Sequence, residues 1–166
     1  MEKLLRWTMV LIMAGAGLVA PALVAGAAGS GKSEFLKSMV AALIRRSRPD
    51  RLKITLIDPK ILTFGSLPPG LSHLTEPIVT EVGAAIPCLE EAVADMTARY
   101  RTMAKENFEN LGLRFKAGKT DIPYRVIVFD EFADLVLAGA DAKKRFERLV
   151  ARIAQMGRAA GVHLML

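Results

Sequence analysis

The stretch Gly26-Ala27-Ala28-Gly29-Ser30-Gly31-Lys32-Ser33 matches the pattern G-x-x-x-x-G-K-[ST] at every fixed position. Its flanks agree with it. A short apolar run over residues 22–25 leads in, and an amphipathic stretch over 34–44 leads out. A strand, a glycine loop and a helix in that order make a cradle for phosphate. The residue types follow from the physics. Glycine lets the backbone turn with positive φ and brings it close to an anion with no Cβ in the way. The exposed N–H groups and the positive end of the helix dipole then face that anion. Lys32 is the candidate for reaching β and γ phosphates, and the Ser33 hydroxyl is the candidate ligand for Mg²⁺. ATP with Mg²⁺ is the ligand pair this implies.

A second element completes such a site. Residues 125–129 (RVIVF) form a near-continuous apolar run, as expected of a strand buried on both faces, and the run ends at Asp130-Glu131. Carboxylates just past a buried strand fall at the C-terminal edge of a parallel sheet, where ligands bind. Asp130 is the candidate for holding Mg²⁺, directly or through water. Glu131 is the candidate for orienting or deprotonating the attacking water, so Glu131 and Lys32 are the catalytic candidates.

The rest of the chain supplies the frame. Residues 34–46 read as a helix, with Phe35, Leu36, Met39, Val40, Leu43 and Ile44 at three- and four-residue spacing. Arg45, Arg46 and Arg48 follow at its end, before Pro49, where they complement the helix dipole or contact a phosphate backbone. Residues 53–58 (KITLID) read as a buried strand closed by Pro59, and Ile78-Val79 as a small one. A long helix is expected over 84–105, its apolar stripe running Ile86, Leu89, Val93, Met96, Tyr100, Met103, with Pro87 in the first turn. Residues 107–123 are polar and read as a loop or hairpin with Arg114, Lys116 and Lys119 in solvent. A helix over 142–160, stopped by Gly161, and a strand over 162–166 end the chain.

A chain of 166 residues, 52% of them hydrophobic, can bury a core and belongs to one globular domain. The net charge of +6 is compatible with a nucleic-acid partner but is scattered along the sequence. Cys88 is the only cysteine, which excludes an internal disulfide and a cysteine metal cluster and points to a reducing compartment. His73 and His163 are isolated and read as structural. At the N-terminus, Lys3 and Arg6 precede an uncharged run over 7–28 whose layout resembles a signal peptide or membrane span. The nucleotide-site strand claims residues 22–26. What remains, residues 7–20, is about 21 Å as a helix, too short for a ~30 Å hydrocarbon core. Residues 1–20 are therefore an apolar leader that packs on the domain, anchors it or is unrelated to it, with packing favoured and no membrane span expected.

Taken together, these segments resemble the motor domain of the FtsK/SpoIIIE family of DNA translocases. The resemblance covers residues 21–166. It rests on LVAGAAGSGKS, on LIDPK at Leu56 to Lys60, on TEVGAAIPCLEEAVADMTARY at Thr80 to Tyr100, on VFDEFADL at Val128 to Leu135 and on GRAAGVHLML at Gly157 to Leu166. It implies a RecA-like P-loop α/β fold, its mostly parallel sheet running 22–26, 162–166, 126–130, 54–58, with helices on both faces. It implies a cytoplasmic ATPase, forming a homo-oligomeric, hexameric ring that moves along double-stranded DNA, and leaves open membrane association through a longer parent protein. By position, residues 26–33 carry nucleotide, Ser33 and Asp130 metal, Glu131 and Lys32 catalysis, and Arg158 is a candidate arginine finger toward a neighbouring subunit. The sequence stops short of the family's Ala-Thr-Gln-Arg-Pro, and the segment before the Asp-Glu strand is short for the family. The resemblance therefore implies a partial motor that binds nucleotide better than it turns it over. The type VII secretion motors share the fold and similar motifs, so a protein-export ATPase and a non-catalytic nucleotide-binding fragment stand as alternatives.

Overall fold

The computed structural model describes residues 13–14, 18–19, 31–68, 70–131 and 139–166. Three apolar runs become parallel strands: β3 (Leu52–Ile57), β4 (Tyr124–Phe129) and β5 (Val162–Met165), in the order β3-β4-β5. Ile57 pairs with Phe129, and Val128 with Met165, so the carboxyl ends of the strands lie side by side. This matches the order the resemblance implied for these three. The expected strand at 22–26 lies outside the described residues. Two dipeptide strands near the N-terminus, β1 (Met13–Ala14) and β2 (Leu18–Val19), pair antiparallel. Among the described residues no helix is long and apolar enough to cross a membrane.

The strand residues alternate between two cores because successive side chains leave a strand on opposite faces. Ile57, Ile127, Phe129, Val162 and Leu164 pack against α2 (Val82–Lys105) and α4 (Ala140–Ala160). Leu52, Ile54, Leu56, Val126, Val128 and Met165 pack against Leu36 and Val40 of α1 (Lys32–Arg46) and against Phe64. The helices thus cover both faces, as expected for a parallel sheet. Residues 78–79 do not build a strand. Val79 makes a single bridge beside β3, donating to the Leu56 carbonyl at 2.9 Å and accepting from the Asp58 N–H at 2.9 Å.

Two readings of local sequence are corrected here. Residues 107–123 contain a short helix, α3 (Leu111–Lys116), where a loop or hairpin was expected. The Asn110 side chain caps it by accepting from the Leu113 N–H at 2.9 Å, and Leu111 is buried. Arg114 is not in solvent. It is 2% exposed and donates to Glu106 at 2.7 Å and Asp121 at 2.7 Å. These hydrogen bonds hold both carboxyls below the usual range. Helix α2 begins at Val82, so Pro87 is its sixth residue and not in its first turn. The lost hydrogen bond falls on the carbonyl of Gly83, on the solvent-facing side where both residues are exposed.

Arg99 ties α2 to the amino ends of the strands. Its guanidinium donates to the Pro123 carbonyl at 2.7 Å and to the Ala160 carbonyl at 3.2 Å, and to both oxygens of Asp95 at 3.0 Å. Near that edge α4 turns into β5, and Gly157 is needed for the turn. A Cβ there would sit 2.1 Å from the Val162 carbonyl oxygen, a backbone atom that no rotamer change can move. Gly157→Ala is expected to destabilise the fold by about 1–3 kcal/mol despite the better helix propensity of Ala. A urea midpoint equal to or above that of the parent would contradict the packing argument.

His163, on β5, is fully buried, lies against the Tyr124 ring and has no hydrogen-bond partner on either ring nitrogen. Burial, reinforced by the charges of Arg99 and Arg158, pushes its pKa down to about 4. Between that value and the ordinary ~6.5 the unfolded chain binds the proton and the folded chain does not. Stability should therefore be full above pH ~6.5 and fall toward pH ~4, by up to ~3 kcal/mol. Denaturation of His163→Leu across this range should give a flatter pH dependence; an unchanged slope would remove His163 as its origin.

Candidate nucleotide-binding site

The candidate residues converge where β3 and β4 end. Gly31 is the N-cap of helix α1, and its φ of 83° lies in the left-handed region that glycine favours. The N-cap residue thus offers no side chain to the first-turn N–H groups, leaving them to a ligand. Lys32 and Ser33 occupy that turn. Lys32 Nζ donates to the Asp130 carbonyl oxygen and lies 3.8 Å from Asp130 Oδ1. Ser33 Oγ donates to the same Oδ1 at 3.2 Å. Asp130 is 7% exposed, and its N–H is bound to the Ile57 carbonyl at 3.1 Å, so the β3–β4 register places it. Glu131 stands differently: its side chain is one-third exposed and meets Lys60 Nζ at 3.5 Å.

The structure brings Gly31, Lys32, Ser33, Asp130 and Glu131 to one edge. Gly26, Ala27, Ala28, Gly29 and Ser30 lie outside the described residues. Arg158 is not part of this cluster. It is exposed near the end of α4, at the amino-terminal edge of the sheet, and lines a cleft of about 480 Å³ with Tyr100, Tyr124, Met156 and His163. The strands separate it from Asp130.

Sequence reasoning missed the loop after β3. Asp58, fully buried, accepts at Oδ2 from the N–H groups of Thr63 and Phe64, both at 2.9 Å. The Thr63 hydroxyl donates to Asp130 Oδ2. LIDPK was legible as a segment, but nothing in its spacing reports that its loop reaches Asp130.

The donor set suits Mg²⁺. Ser33 Oγ and Asp130 Oδ1 are hard oxygens 3.2 Å apart, close to the ~3 Å edge of an octahedron with 2.0–2.1 Å bonds. Among the described residues no three or more His, Cys, Asp or Glu side chains cluster as a metal cage. Mg²⁺ is usually held by one or two protein oxygens together with phosphates and water.

A parallel sheet with helices on both faces, and a glycine-started helix whose Lys and Ser meet an aspartate at the tip of a neighbouring strand, is the α/β fold of P-loop NTPase domains. The FtsK/SpoIIIE family profile matches residues 13–166, and the chain belongs to that family. It is 40% identical over 148 residues to the DNA translocase FtsK of Campylobacter jejuni strain 81-176, covering 87% of this chain and 15% of that protein. The DNA translocase FtsK of Helicobacter pylori strain J99 is 37% identical over 148 residues, covering 87% and 17%. The chain therefore spans about a sixth of the length of these relatives. Among solved structures, the cytoplasmic domain of the Thermomonospora curvata type VII secretion ATPase EccC matches with a TM-score of 0.68 and 32% identity, over 87% of this chain and 17% of that one.

Proposed function

We propose that this chain is the ATP-binding and hydrolysing part of a double-stranded DNA translocase motor. The observation that carries the reading is the meeting of Lys32, Ser33 and Asp130 at the carboxyl edge of the parallel sheet. In this reading the first-turn N–H groups of α1 and the glycines before it cradle the phosphates. Lys32 moves its ammonium from Asp130 onto the β and γ phosphate oxygens. Ser33 and Asp130 would hold Mg²⁺, which would supply charge neutralisation at the phosphate oxygens. Glu131 takes a proton from the water whose oxygen bonds to the γ-phosphorus as the bond to the β–γ bridging oxygen breaks, releasing ADP and phosphate. The buried, many-partnered Asp130 suits a fixed ligand, and the partly exposed Glu131 suits a base that meets water.

DNA as the substrate is supported by the FtsK relatives at 37–40% identity. The 32% identity to EccC favours a second reading, a protein-export ATPase. A homo-oligomer belongs to this reading as well: Arg158 lies at the far edge of the sheet from Asp130, so a role for it in hydrolysis requires a neighbouring subunit's site. The test is Mg²⁺-dependent ATP binding, followed by ATPase assays with double-stranded DNA and, separately, with a secreted polypeptide. Binding with DNA-stimulated turnover supports the translocase. Stimulation by polypeptide alone moves the assignment to export, and absence of Mg²⁺-dependent binding overturns the nucleotide site.

A further inference from the structure

We propose that Thr63 is a positioning residue that sets the plane of the Asp130 carboxylate, so that one oxygen, Oδ1, is presented to the metal beside Ser33. The proposal rests on the Mg²⁺–nucleotide reading of this site. Thr63 is 2% exposed and held from both sides. Asp58 Oδ2 accepts from its N–H at 2.9 Å and from the next N–H, of Phe64, at 2.9 Å, while the fully buried Phe64 ring anchors the loop in the core. The Thr63 hydroxyl, fixed in this way, donates to Asp130 Oδ2. Ser33 donates to Oδ1 at 3.2 Å.

The two bonds have distinct consequences. The terminal torsion of aspartate is broad and nearly two-fold, so a carboxylate with one partner can turn. With a donor on each oxygen its plane is set. The Thr63 bond occupies Oδ2, whereas the Ser33 oxygen can turn from donating to Oδ1 to binding a cation beside it. Without the Thr63 hydroxyl, Oδ2 is left buried and unpaired, and burial of an unpaired acceptor is unfavourable. The carboxylate then turns toward the nearest cation, Lys32 Nζ, now 3.8 Å from Oδ1. That spends the carboxylate on the lysine it already faces and takes Oδ1 from the metal. Groups that orient a metal ligand in this way typically change metal affinity by about 10–100-fold when removed.

The experiment is titration of a fluorescent ATP analogue against the full chain at fixed nucleotide and rising Mg²⁺, with a parallel series in EDTA. Thr63→Val keeps the shape and removes the donor. It should raise the Mg²⁺ midpoint about 10–100-fold and leave the affinity in EDTA unchanged. Thr63→Ser keeps the donor and should restore the parent midpoint. Thr63→Ala makes the same deletion without β-branching, and its shift should match that of Val, which covers the case in which Val does not fold. The parent midpoint in Val or Ala, an equal loss with and without Mg²⁺, or a Ser variant shifted as far as Val would each overturn the role of Thr63. A parent with no Mg²⁺-dependent binding instead overturns the nucleotide reading, so the two failures are separable.

Discussion

Glu131→Gln is expected to bind Mg²⁺-ATP as the parent does and to turn it over about 10²–10⁴-fold more slowly. The substitution keeps size and shape and removes the basic oxygen. Folding should not change. Among the described residues Glu131 pairs with Lys60 at 3.5 Å, between side chains 33% and 51% exposed, and such surface pairs contribute little. Nor should binding change, because the contacts that hold nucleotide in this reading come from α1 and Asp130. The measurement is phosphate release under single-turnover conditions with double-stranded DNA, beside a nucleotide-binding titration. Equal turnover in variant and parent removes Glu131 from the mechanism, and a loss of affinity assigns it to binding.

Lys32→Ala is expected to weaken nucleotide binding by about 1.5–3 kcal/mol, roughly 10- to 150-fold in Kd. The ammonium rests on Asp130, with its side chain 20% exposed. It is held by the protein's own carbonyl and carboxylate at the point where phosphate oxygens arrive. Its deletion removes a charge-assisted contact to phosphate and leaves the Asp130 carboxylate without its cation, so an anion meets net repulsion. Alanine is the best helix former, so α1 should persist. A titration with labelled ATP and Mg²⁺, with circular dichroism as the control for folding, checks this. An unchanged Kd would count decisively against the phosphate loop as the binding site.

The amino-acid sequence by itself determined what is local. A glycine loop before a helix, a Lys-Ser pair in the first turn and an acidic pair after RVIVF are legible because each follows from backbone freedom or from side-chain period. So are β3, β4 and β5, since a parallel strand covered on both faces is apolar throughout. Those features were enough to place Lys32, Ser33 and Asp130 in one site before their contacts were known. Pairings between distant segments leave no such trace. Thr63 and Asp130 are 67 residues apart, and they meet because Ile57 is in register with Phe129 and the Asp58 loop folds over that edge. Arg114 carries the same charge as the solvent-facing lysines near it. The carboxylates of Glu106 and Asp121, converging from either side, and the Lys119 carbonyl make its burial tolerable. Arg158 reads in sequence as a candidate finger toward a neighbouring subunit, and the length and direction of α4 set it at the edge opposite Asp130. Spacing along a chain encodes which face a residue occupies, and the packing of whole elements decides what lies across from it.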